Sequence, residues 1–522
     1  MSTMTTLNAS RRQALRLAGG AALAGAAASA AASPSAAAPS YRPGRYRATP
    51  LLDVPARHLV NRFSYGITPE LAAEVRAAGG HLAWFDRQLA SAYDGAADDL
   101  CDWWPDLHLD APTLWAKNLS GERYGWQVMR SYARRVMMRR MTSPRQALEV
   151  MTEFWETHFH VPIYADNVFV FRTDYGQTIR AHALGRFEDL LAAAVLHPAM
   201  LFYLGASTST KSHPNENLGR ELLELHTVGI GNHTEDDVKD SARILTGFTL
   251  DHYKTWAPTY ASANHATGPV RVLGFSDDNA APDGRDLTRR YLSYLARHPG
   301  TARRIATKLA VAFVSDTPSA ALVDQLAAVY LDHDTEIVPV LRALVRSAEF
   351  ARAVDAKVRD ADRDVVATYR LLGVQVAPPT SELSAANQVF FQASALGLAP
   401  LTWPRPDGRP LRNEAWCSPT RALASMSLHW SMACASWPTT DVAFRPYAAW
   451  LPAGSTPQFG DLVDHLSRLL LHRPASATLV KSCVEITGIT ARTGLHRRAA
   501  LAAWDWSRLL GAVLDSPDFY QY

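Results

Sequence analysis

The chain has 522 residues, 48% hydrophobic and 20% charged, with a formal net charge of +3. That is enough chain to bury a large core, and the near-neutral balance gives no basis for a nucleic-acid binder or a strongly acidic surface. No stretch after the first forty residues approaches the ~18–20 apolar residues needed to span a bilayer.

Residues 1–38 read as a signal peptide. Ser10-Arg11-Arg12-Gln13-Ala14-Leu15 is a twin-arginine pattern, and an Ala/Gly-rich apolar stretch follows from Leu17 to Ala32. Ala28-Ser29-Ala30 and Ala30-Ala31-Ala32 offer small-residue cleavage sites. The expectation is a bacterial protein exported folded across the inner membrane, to the cell envelope or the medium. Residues 39–52 form a Pro/Arg-rich lead-in, and residues 53–522 are expected to form one large helical domain with a weak division near 375–400.

Helical signals then follow in dense order. Thr68-Pro69-Glu70 supplies an N-cap, a Pro at the first position and an early acid, and Gly79-Gly80 ends that helix. His81–Ala92 is amphipathic. Asp94–Leu109 is an acidic loop bearing tryptophans. Thr113–Met141 reads as one long helix, with arginines on a solvated side and methionines on the core side.

Ser143-Pro144-Arg145-Gln146 opens the helix QALEVMTEFWETHFHV. At about 100° per residue, His158 falls among Leu148, Met151, Phe154 and Trp155, whereas Glu153, Glu156 and His160 fall opposite. His158 is therefore expected to be buried and His160 exposed.

Pro214–Gly231, PNENLGRELLELHTVGIG, is the most distinctive stretch. Asn215 can cap a helix, and Asn217, Arg220, Glu221 and Glu224 share one stripe at i, i+3, i+4 and i+7. Leucines cover most of the remaining surface, so the helix is expected to be buried, with its charges paired. That stripe is either a structural ion network or an active site. His226 lies far around the helix from the glutamates and is expected to be a hydrogen-bonded core histidine.

Thr246–Gly284 lacks helical periodicity and reads as a lid or a small hairpin. From Asp286 onward helices resume almost without a break. Strand signals are scarce, and the fold class is all-α with long irregular loops. The four cysteines include no CxxC pair. Cys417 with Cys434 is the favoured disulfide, against free buried thiols.

Several of these stretches resemble the bacterial family known as domain of unknown function 1800. They include His58-Leu59-Val60-Asn61-Arg62-Phe63, Met151-Thr152-Glu153-Phe154-Trp155-Glu156-Thr157-His158, His197-Pro198-Ala199-Met200 and Pro214–Gly229. The set continues with Leu245-Thr246-Gly247-Phe248, His298-Pro299-Gly300-Thr301-Ala302-Arg303 and Ser516-Pro517-Asp518-Phe519. The resemblance implies an exported, mostly helical protein, often encoded beside a sulfatase-like partner. It implies no assigned activity. The chain departs from that pattern at Gly205-Ala206, Phe248, Ala266 and Val270.

No GxSxG, HExxH, Walker A, GxGxxG or CxxCH motif occurs. The candidate site is therefore Asn217, Arg220, Glu221 and Glu224, with His158 opposite and His265 arriving from the long loop. His158, Glu221, Glu224 and His265 are the candidate ligands for a divalent metal. Carboxylate- or metal-assisted hydrolysis is the expected chemistry. The alternative is a non-catalytic scaffold or partner of a co-exported, sulfatase-like enzyme.

Overall fold

The helix Gln146–His158 has no solvent-facing side: all thirteen of its residues are buried. It is the axis of an all-α fold. The computed structural model describes residues 49–90, 99–452, 457–495 and 501–522. The signal peptide expected over residues 1–38 lies outside them. The described residues belong to one compact unit.

In chain order, α1 (Val54–Arg62), α2 (Pro69–Ala77) and α3 (His81–Leu89) lead to α4 (Ala111–Ser120) and α5 (Gly125–Thr142). The expected single helix over 113–141 is broken at Gly121, whose left-handed conformation (φ 76°) ends α4. The central helix is α6. It is followed by α7 (Arg172–His182), α8 (Phe187–Val195), α9 (Pro198–Tyr203), α10 (Glu216–Glu221) and α11 (Glu235–Ile244).

The segment 246–284, read as a lid or a small hairpin, has hairpin structure. It holds two antiparallel hairpins, Phe248–Leu250 with Pro258–Tyr260 and Val270–Val272 with Phe275–Asp277. Then come α12 (Arg285–Arg297), α13 (Pro299–Phe313), α14 (Ala320–Asp332), α15 (Ile337–Val345), α16 (Ala348–Arg352), α17 (Ala361–Leu371) and α18 (Ala385–Ala395). The region near 375–400 is tied in at two places. Gln375–Val376 pairs with Val442–Ala443, and α18 packs on α5. The chain closes with α19 (Pro419–Ala433), α20 (Phe459–Leu471), α21 (Ala477–Thr487), α22 (Ala503–Leu514) and α23 (Pro517–Tyr520).

Two expectations about solvent exposure are corrected by one cause. Arg134, Arg135, Arg139 and Arg140 of α5 are buried rather than solvated, and so are Glu149, Glu153, Glu156 and His160. A buried charge must be paired, and here the two sets pair with each other and with later arginines. Arg139 and Arg180 hold Glu149. Arg172 and the Tyr132 hydroxyl hold Glu156. Arg363 (2.9 Å), Arg409 and the Tyr65 hydroxyl (2.6 Å) hold Glu153. Burial works against the Glu153 charge, but Arg140, Arg363 and Arg409 keep its carboxyl below the usual range.

The expected disulfide does not form: Cys417, Cys434 and Cys483 are all free. Cys417 and Cys434 flank the two ends of α19, a fifteen-residue helix. At 1.5 Å per residue that places them roughly 20 Å apart, far beyond the reach of an S–S bond.

Candidate functional site at the end of the central helix

The stretch 214–231 does not form one continuous α-helix. Asn215 caps α10 by accepting from the Asn217 N–H at 2.9 Å. After Glu221 the backbone widens into a π turn over Leu222–His226, a rare form that concentrates at functional positions. Gly219 lets α10 approach α11 closely, since a Cβ there would stand 2.9 Å from the Ala242 nitrogen. That contact buries Leu218, Leu222 and Leu223.

The polar stripe therefore faces outward, contrary to the expected burial. Asn217 is exposed, and Arg220, Glu221 and Glu224 are half-buried. Arg220 pairs with Glu235 at 2.7 Å, Glu216 at 3.4 Å and Glu224 at 3.6 Å. Glu224 also lies 3.5 Å from the His233 ring. Burial and the neighbouring Glu224 charge push the Glu221 carboxyl up from its ordinary value.

His158 is buried as expected, but it meets other partners. Its Nε2 donates to the His226 carbonyl at 3.0 Å, and His226 Nδ1 donates to the His158 carbonyl at 3.1 Å. A carbonyl can only accept, so these two bonds fix both tautomers. His158 Nδ1 is thus a bare acceptor, and the Lys308 ammonium or amine of α13 donates to it at 2.8 Å. His226 Nε2 is buried without a partner.

The electrostatics follow from this crowding. Burial and then the Lys308 charge hold His158 well below the ordinary imidazole range and His226 at about 3, so both rings are neutral. Lys308 is half-buried, with no carboxylate within ion-pair distance among the described residues. Burial, then Arg304, pulls it down to about 7, with Asp407 opposing. Arg304 donates to the Leu225 carbonyl at 3.2 Å, bracing the π turn from the same helix.

The loop before α19 completes the surroundings. Gly408 lies against the last turn of α6, where a Cβ would fall 1.9 Å from the Thr157 carbonyl oxygen. His160 donates to the Trp403 carbonyl at 2.8 Å, and the Trp403 indole donates to Asp407 at 2.7 Å. Asp407 raises Tyr203 and Glu221 as well as Lys308, so these groups feel one common charge.

The structure brings Glu221, Glu224 and Arg220 together and places His158 in the wall behind the π turn. It does not bring His265 there. His265 is buried in the hairpin segment, bonded to the Thr246 carbonyl at 3.1 Å and to Asn279 at 2.8 Å. Nor does the expected metal set assemble, because both His158 nitrogens are engaged. Among the described residues, the acidic group close enough to hold an ion is Glu153 with Asp360 and Asp362. Arg140 and Arg409 already hold Asp362 at 2.5 and 2.7 Å, and Arg409 lies 3.1 Å from Asp360. Three guanidiniums among three carboxylates leave no charge for a cation to neutralise.

Lys308, Arg304 and Asp407 were not read from the sequence. One signal was present. Arg304 and Lys308 stand at i, i+4 on one helix, a repulsive spacing, and the helix offers no acid beside them.

The comparison with known families agrees with the motifs around Trp155, Asn215 and His298. A family model covers residues 58–521. The chain belongs to the family DUF1800, proteins of unknown function. No curated protein and no solved structure matches it. The DUF1800 match spans α6, the π turn, α13 and the Trp403–Gly408 loop, so all four parts of the site lie within the family region.

Proposed function

We propose that this DUF1800 protein is an exported hydrolytic enzyme whose acid–base centre is Lys308 at the end of the central helix. The observation that carries the reading is the Lys308–His158 hydrogen bond. Around the central helix the buried guanidiniums of Arg139, Arg140, Arg172, Arg363 and Arg409 each have a carboxylate partner, whereas buried Arg62 donates to the Phe313 and Ala353 carbonyls. Lys308 is given a neutral imidazole instead. A purely structural lysine would be better served by an acid, and perturbed groups with unusual partners concentrate at functional sites.

The chemistry follows from the donor pattern. A neutral Lys308 uses one N–H on His158 Nδ1 and retains its lone pair on the half-buried side. That lone pair can accept a proton from water or a substrate hydroxyl near neutral pH. Glu221, raised in the same field, is the complementary acid for a leaving group. His158 is a positioning residue: clamped through Nε2, it fixes the direction of the amine.

The second reading is the scaffold or partner of a co-exported, sulfatase-like enzyme. The buried arginine–carboxylate network around α6 favours it, because such a network specifies a rigid body without needing a reaction. Lysine labelling separates the two. The chain has seven lysines, so modification by trinitrobenzenesulfonate can be mapped to each. The enzyme reading expects Lys308 to label with a midpoint near pH 7, and a Lys308→Met variant to lose turnover on an ester and sulfate-ester panel. A midpoint near that of the exposed lysines, with no turnover by the wild type, favours the scaffold.

A further inference from the structure

A cavity of about 850 Å³ lies among α19, α21, α22 and the turn into α23. Its size falls within the range of small-molecule sites. Trp430, Leu479 and Ile486 line it, and Trp430 and Ile486 remain partly exposed. Gly511 also lines it, and a Cβ built there meets no atom within 4 Å, so the helix backbone faces open space.

The charged groups on the wall are not equivalent. Asp515 accepts from His429 Nδ1 at 2.7 Å, and His429 Nε2 in turn bonds Asp364 at 3.0 Å. Burial opposes the His429 charge, but Asp364 and Asp515 overcome it and lift the ring to about 9. Asp518 is paired with Arg473 at 2.7 Å. Both carboxylates are therefore neutralised from behind. Arg508 is different: no carboxylate pairs with it among the described residues, and its guanidinium lies over the Trp504 ring at 5.2 Å. Trp504 in turn packs edge-on against Trp430 at 4.9 Å.

We infer that this cavity is a binding site for a small organic carboxylate with an apolar body. The unpaired Arg508 takes the carboxylate, and Trp430, Leu479 and Ile486 take the body. Charge complementarity decides the class. The one uncommitted charge on the wall is a planar cation suited to bidentate carboxylate contact. Stacking on Trp504 holds that cation in place without neutralising it.

The test compares 4-phenylbutyrate with its neutral analogue 4-phenylbutanol by calorimetric titration into the full chain. The wild type is expected to prefer the acid by at least about tenfold, a preference on the scale of one charge-assisted hydrogen-bonded pair. Arg508→Met should abolish that preference and leave the alcohol unchanged. Ile486→Trp, at an exposed wall position, should weaken both compounds. Absence of binding by either compound overturns the inference. So does a preference for the acid that survives Arg508→Met, or binding indifferent to Ile486→Trp.

Discussion

His158 and His226 exchange ring-to-backbone hydrogen bonds, each donating to the other's carbonyl, at 3.0 and 3.1 Å. The pair fastens the last residue of α6 to the last residue of the π turn. His226→Phe keeps the ring volume and deletes the donor to the His158 carbonyl. A buried carbonyl left unpaired costs about 1–3 kcal/mol, so urea denaturation should show a loss of that size. An unchanged midpoint would mean that the turn is held by Arg304 and the leucines alone.

Lys308 gives a pH signature of its own. Its folded pKa of about 7 lies below the ordinary lysine value, so the folded state resists the proton that the unfolded chain accepts. The penalty is full below pH 7 and disappears as the pH rises toward the unfolded value. Lys308→Met should therefore stabilise the protein at pH 6 by about 1–3 kcal/mol, once solvent screening of the half-buried amine is allowed for. The gain should shrink steadily between pH 7 and about 10. Thermal melts of both proteins across that range would show it, and a pH-independent difference would rule it out.

His429 has the opposite sign. Its folded pKa, about 9, exceeds the ordinary imidazole value of 6.5. Its contribution is complete below pH 6.5 and is lost as the pH rises through 9. His429→Asn should be destabilising by about 3 kcal/mol at pH 6, because it leaves buried Asp364 short of a partner. The gap to wild type should narrow by pH 9.5.

Depth should also rank the ion pairs. Glu153→Gln removes a buried carboxylate that Arg363 and Arg409 share, at a cost of about 3–5 kcal/mol. Glu235→Gln breaks the Arg220 pair at the surface, where Glu235 is exposed and Arg220 half-buried, and should cost about 1 kcal/mol or less. Comparable effects in the two variants would contradict the layered picture.

The all-α class and most helix positions were legible because capping residues and the 3.6 period are local. Pro299–Phe313, Ala361–Leu371 and Phe459–Leu471 fall where their patterns place them. Exposure was not legible for α5 and α6. An arginine at a solvated position and one at a buried position look alike until the distant carboxylate is known, and Arg363 and Arg409 lie more than 200 residues from Glu153. The π turn escaped for a related reason. An angular count assumes a constant 3.6 residues per turn, and one wide turn at Leu222–His226 carries His226 onto α6. His158 was correctly placed in the interior, but its partner Lys308 comes from a helix 150 residues away.

Among the described residues Cys417, Cys434 and Cys483 carry free thiols, and the two nearest in sequence stand at opposite ends of α19. The packing described above relies on no disulfide among these three. That packing can be completed by apolar burial and ion pairing while the thiols are still kept reduced. The export proposed above, of a chain already folded, would need that order of events.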